Sequence, residues 1–407
     1  MSEKWRTVLL LALAELLAMG LWFSATAVTP ALAESWQLDA SRASWLTLAV
    51  QIGFVTGAFL GALFNVADVW SPRLVFSLSA LAAATANAAI AVLAQSLLLA
   101  VPLRFLTGFA LAGVYPVGMK IMATWMKEDR GLGLGLLVGA LTVGSASPHL
   151  LRALGGVDQW RPVIYVASML AILGGVVVWR SAKLGPYRTA PAPFRWRYAG
   201  EALRDRGVRL ANLGYLGHMW ELYAMWTWIP LFLLSAYQGI GDGGWMSRQP
   251  ERAAALVAFA VIGAGGMGSV LAGVVADNWG RSRTTMVSLV ISGSCAVLIG
   301  FLYGAHPYWL TLLALFWGFA IVADSAQYSA AISELSAQQY MGTALTLQTS
   351  MGFLLTLASI RLVPLLVDWI GWQWAFLFLA PGPIAGLWAM RSLQRSPLAA
   401  KLAGGRG

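Results

Sequence analysis

Glu15, Arg104, His218, Glu221 and Asp324 are ionisable residues placed inside long apolar stretches. A charge in hydrocarbon costs at least ~2.5–3.5 kcal/mol, so such groups turn toward a protein interior or a wet cavity. Carboxylates and an imidazole placed there can bind and release protons, the imidazole near neutral pH. His218 stands three residues before Glu221, close enough for contact on one helical face. The pair reads as a proton carrier, a solute contact or a packing pair; two ligands alone make a poor cation site. Arg104 needs a buried partner, and Glu15 is the expected one. An arginine beside a carboxylate favours its charged form, and withdrawal of the arginine lets a proton bind. The expected Glu15–Arg104 pair is therefore either a proton switch or a static pair that fixes helix packing.

Neighbouring residues share the faces of these acids. Glu15, Met19 and Trp22 are spaced i, i+4, i+7, and His218, Glu221, Met225 and Trp228 repeat the pattern. Ser325 and Gln327 follow Asp324, while Gln51, Gln348 and Thr349 lie in other apolar stretches. Buried amides and hydroxyls must find partners, so each is a solute contact or an interhelical bond. Trp22, Trp226, Trp228 and Trp317 lie deep, where aromatic rings suit organic cations as well as plain packing. Trp5, Trp36, Trp45, Trp70, Trp125, Trp160, Trp179 and Trp372 fall near predicted helix ends, as interfacial anchors do.

The elements that position these residues are apolar blocks. Of 407 residues, 59% are hydrophobic and 11% charged, against about 25% charged in soluble domains. Twelve blocks are expected to span a bilayer: about 8–33, 44–67, 74–93, 97–121, 132–152, 162–179, 210–235, 253–276, 284–304, 308–333, 342–368 and 372–390. The first is too long for a removable signal peptide. The fold class is thus an all-α membrane protein of two six-helix bundles, 1–180 and 210–391. A basic linker, 181–209, joins them, and a tail, 392–407, follows. The net charge of +10 is concentrated at one side of the blocks. That asymmetry predicts both termini on the cytoplasmic face of the inner membrane, and it points to lipid rather than nucleic acid as the partner. Cys295 is the lone cysteine, so no disulfide framework or cysteine metal cluster is expected.

The chain repeats itself. Residues 15–22 return as 221–228 with five of eight identities. Asp68 corresponds to Asp277, Gly108-Phe109-Ala110-Leu111 to Gly318-Phe319-Ala320-Ile321, and Gly131 to Gly342. The nearly constant spacing argues for a duplicated unit. An even number of spans per unit makes the halves parallel.

One loop carries a distinct motif. Gly273, Asp277, Gly280, Arg281 and Arg283 combine a small residue for close helix approach, a capping acid, a turn glycine and two bases. The first-half copy keeps Gly61, Asp68 and Arg73 but lacks the Gly-Arg pair and has Asn65 where an acid is usual. With these loops, Arg104-Phe105-Leu106-Thr107-Gly108 and the duplicated halves, nearly the whole chain resembles the major facilitator superfamily of secondary transporters. Gly135, Gly139, Gly144 and Pro148 give a weak likeness to the helix-five pattern of its antiporters, with Ser147 in place of a glycine.

The resemblance implies a cavity lined by helices 1, 4, 7 and 10, and a gate latch at the motif loop. It implies transport of a small organic solute by alternating access, with protons as coupling ion and export slightly favoured over uptake. A cavity with three acids against one deep arginine disfavours anions. Uptake of an oxyanion of the nitrate/nitrite kind and a non-transporting receptor or assembly factor remain as alternatives. No enzyme, cofactor or metal is expected, because no phosphate loop, nucleophile motif or metal motif is present. The working unit is expected to be a monomer.

Overall fold

The computed structural model describes residues 2–126, 130–187, 196–241, 244–337 and 341–407; the side chains of Asp68, Arg130 and Trp196 lie outside that set. The described residues form helices and no strands. A helix satisfies its backbone groups internally, as hydrocarbon surroundings require. The first half contains α1 (Glu3–Ala27), α2 (Trp45–Leu63), α3 (Pro72–Leu93), α4 (Leu97–Leu111), α5 (Tyr115–Ala123), α6 (Arg130–Gly155) and α7 (Trp160–Ser181). A short amphipathic α8 (Trp196–Arg204) follows. The second half contains α9 (Arg206–Gln238), α10 (Pro250–Trp279), α11 (Arg281–Leu298), α12 (Pro307–Ala323), α13 (Ser325–Leu335), α14 (Met341–Ala375) and α15 (Pro381–Gln394). Large apolar side chains face outward, among them Leu98, Met169, Phe301 and Trp388. Apolar surface of that kind belongs against lipid.

Ten segments among the described residues are long and apolar enough to cross a membrane, against the twelve blocks read from sequence. Two differences account for the count. The last two blocks fall in one apolar run, Met341–Gln394, broken at Gly371, whose φ is 75°. The block 210–235 lies in α9, which is not among the ten. This helix is buried on most of its circumference, so it carries Tyr, Trp, His and Glu where a lipid-facing helix carries Leu and Val.

The duplication is visible in the packing. Helix α1 packs on α6 and α7, and α9 packs on α14 and α15. A Cβ on Gly108 would collide with the Val50 carbonyl, and one on Gly318 with the Val261 carbonyl. Gly57 abuts Phe109 just as Gly268 abuts Phe319. Small residues thus bring α2 against α4 and α10 against α12 in repeat-related ways. The fourth and tenth blocks both break, between Leu111 and Tyr115 and at Asp324. Pro116 explains the first break, since it has no N–H for the Ala112 carbonyl and is tolerated only in the first turn of a helix.

Candidate functional site

Arg104 is fully buried on α4 and does not pair with Glu15. Its Nε donates to Leu46 O at 2.9 Å. Its Nη1 donates to Leu21 O at 2.8 Å, Asn87 Oδ1 at 3.2 Å and Ser24 Oγ at 3.3 Å. Its Nη2 donates to Trp22 O. The guanidinium is level with residues 21–24 of α1, and Glu15 is six residues back, about 9 Å along the helix. Arg104 therefore ties α1, α2, α3 and α4 together through neutral acceptors.

Glu15 is fully buried, and neither carboxylate oxygen has a hydrogen-bond partner. Gly118 of α5 makes room for it: a Cβ there would lie 2.8 Å from Oε2. The Tyr115 hydroxyl is close enough to interact with it electrostatically.

His218 and Glu221 do not pair either; their side chains leave α9 toward different neighbours. His218 Nδ1 is 2.9 Å from Asp324 Oδ1, at ion-pair distance. Its Nε2 is 2.9 Å from Ser325 Oγ. The Tyr328 hydroxyl donates to Asp324 Oδ2 at 2.8 Å. The Glu221 carboxylate instead accepts from Trp317 Nε1 at 2.7 Å and Ser292 Oγ at 2.9 Å. All three ionisable groups are buried.

An aromatic wall stands between the halves. The Trp22 ring lies 4.9 Å from Phe54, 5.2 Å from Phe353 and 5.8 Å from Tyr223. Beside it, Thr356 Oγ1 of α14 donates to Gln51 Oε1 of α2. Met19 and Met225 are buried, and Trp228 Nε1 donates to Ile360 O at 2.9 Å. Gln348 is buried with both amide atoms unpartnered.

At one end, the motif loop forms a network around buried Arg281. Its guanidinium binds Glu334 twice, at 2.6 Å and 2.8 Å. It also lies 3.4 Å from Asp277 Oδ1. Its Nη1 donates to Gln327 Oε1 at 2.8 Å, which places Gln327 at the motif loop rather than beside the aromatic wall. The Asp277 carboxylate lies against the start of α6 in the other half, where a Cβ on Gly131 would collide with its oxygens. A helix N-terminus favours such a charge. Gly273 packs closely on the Gly131 carbonyl, and Gly280 makes the turn with a φ of 103°. Arg283 points to solvent.

No equivalent network is seen in the first half among the described residues. Asp68 contributes no described side chain, a Cβ on Gly61 would meet open space, and Arg73 lies over the Trp179 ring at 5.4 Å. The positions related by the repeat to Gln327 and Glu334 are Val117 and Thr124. Gly135 and Gly139 continue the α6–α10 seam against the Ser269 and Gly266 carbonyls, while Gly144 packs on Leu16 of α1. Toward the other end this seam gapes into a cleft of about 400 Å³ lined by Leu154, Val157, Gln249, Glu251 and Arg252.

Several functional candidates escape a reading of the sequence. Asn87 and Ser292 are polar residues within apolar blocks, and that signal is readable. Glu334 and Tyr328 have no local signal; they matter through the break at Asp324.

The sequence profile of the Major Facilitator Superfamily matches residues 11–248. A protein of Escherichia coli strain K12 named as the putative uncharacterized transporter YgaY is 30% identical over 183 residues, 42% of this chain and 43% of that one. The chain thus spans about two fifths of the curated relatives it matches. A solved structure of the nucleoside transporter NupG superposes with a TM-score of 0.70, covering 97% of this chain and all of that one at 15% identity. Its D323A mutant gives 0.72 over 95% of this chain and 99% of that one, also at 15% identity. At that identity the likeness carries the fold alone.

Proposed function

Because the chain belongs to the Major Facilitator Superfamily, a family of membrane transporters, we propose that it is a proton-coupled secondary transporter of a small organic solute. The observation that carries this reading is the pair of buried proton-binding centres flanking the aromatic wall. Glu15 is unpartnered in the first half, and His218–Asp324 lies in the second. An unpaired buried charge is costly, and a neutral acid avoids that cost. Closure around Glu15 therefore goes with an occupied proton, and opening to water allows its release. Rocking of bundles 1–180 and 210–391 alternates access, with the linker, tail and both termini on the cytoplasmic face of the inner membrane. The monomer is the working unit, and it needs no cofactor.

Trp22, Phe54, Tyr223 and Phe353 suit a planar solute, and the buried acids Glu15 and Asp324 suit a cation. Oxyanion uptake finds less support, because the donors of Arg104 are already occupied by carbonyls, Ser24 and Asn87. Exchange of cation for proton makes export the favoured direction. Proteoliposomes with an internal pH dye and a planar aromatic cation test the reading. Proton movement opposite to the cation, lost in Asp324→Asn, is expected. Cation flux without proton movement would overturn it.

A further inference from the structure

Beyond α15 the chain turns back onto the gate. Residues Pro397–Gly405 form a 3-10 segment, and its Leu402 side chain is fully buried. Ala403 and Gly404 both take positive φ, 47° and 65°, which turns the backbone toward α13. For alanine that geometry is unfavourable, so surrounding contacts must hold it. The Ala403 N–H donates to Glu334 Oε2 at 3.0 Å. Arg406 Nη1 donates to the backbone carbonyl of Asp277. That carbonyl lies in the last turn of α10, where carbonyls lack intrahelical partners and favour a cation. The Arg406 carbonyl sits over Gly280, where a Cβ would collide with it.

All these contacts land on the gate, at Asp277, Gly280 and Glu334, and none of them crosses to the first half. Asp277 itself makes that crossing, with its carboxylate packed against Gly131 at the start of α6, beside the contact of Gly273 with the Gly131 carbonyl. We propose that the 397–406 tail is an internal brace of the gate. It holds the Asp277 loop and Glu334 where Asp277 packs against the start of α6, and so favours the conformation closed at this end. A segment that docks on the gate can also be drawn off it, which makes the tail a point of control over opening. The inference goes beyond the transport reading and assumes neither a solute nor a coupling ion.

Spin labels at Ser71→Cys and Arg391→Cys, in a Cys295→Ser background, test it. Both positions are exposed, near the gate end, in different halves and outside the tail. The full chain is compared with a chain ending at Ser396 and, separately, with Arg406→Ala. Both changes are expected to raise the ratio of long to short label separations by about tenfold, the scale of losing one hydrogen bond to a charged group. If the truncated chain is not monodisperse, Arg406→Ala alone decides. Unchanged distance distributions in the variants would overturn the brace.

Discussion

Glu15 and Glu221 occupy repeat-related positions but meet different surroundings. Glu221 accepts from an indole and a hydroxyl, whereas Glu15 accepts from nothing. Glutamine at position 15 keeps the shape without the charge. Glu15→Gln is therefore expected to fold with stability within about 0.5 kcal/mol of the parent or above it, while its transport loses dependence on pH. A pH profile that matches the parent would remove Glu15 from proton carriage. Arg104 predicts the opposite balance. Arg104→Ala removes the guanidinium's hydrogen bonds to Leu21, Trp22, Leu46, Ser24 and Asn87 and leaves a buried void, and is expected to cost about 3 kcal/mol. Denaturation in detergent measures it. The buried ionisable residues were legible one by one, because such groups stand out in apolar blocks. Their partners were not. Partner choice depends on height along a helix and on the rotation of its neighbours. That is why Arg104 meets carbonyls rather than Glu15, and His218 meets Asp324 rather than Glu221.

At the scale of elements, the broken tenth block joins the buried His218–Asp324 pair to the motif loop. Asp324 ends α12 beside His218, and α13 carries Gln327 and Glu334 to Arg281. The first half has Val114, Val117 and Thr124 at the corresponding positions, and its loop is met instead by Lys120, which donates to Ala67 O at 2.7 Å. Glu334→Gln and Asp277→Asn are each expected to lower turnover several-fold with little change in KM, since both act on the moving gate. Initial rates over a range of solute concentration separate the two; a change confined to KM would contradict the gating role. The close contacts predict a stability effect as well. Gly318→Val would drive a side chain into the Val261 carbonyl and is expected to cost at least ~1–3 kcal/mol. The loop motif was readable from its Gly, Asp and Arg spacing. Its partner Glu334 was not, because no local pattern reveals where a helix break will aim the following turn.

For the whole molecule, the two halves meet along α6–α10 and α2–α14. The α6–α10 seam is tight where Asp277 and Gly273 pack against Gly131, and it widens toward the other end. Duplication and fold class were legible in full, since they follow from block length and a repeat at nearly constant spacing. The count of spans was less so, because a buried helix such as α9 needs little apolar surface of its own. On this account, solute and proton exchange across the membrane in one coupled cycle. The most direct measurement is solute flux in sealed proteoliposomes at clamped voltage, driven only by a pH difference. The account predicts that the pH difference drives a planar aromatic cation against its own gradient, and that Asp324→Asn abolishes this while leaving the protein folded. Flux that only ever follows the solute gradient, indifferent to pH in parent and variant alike, would contradict it.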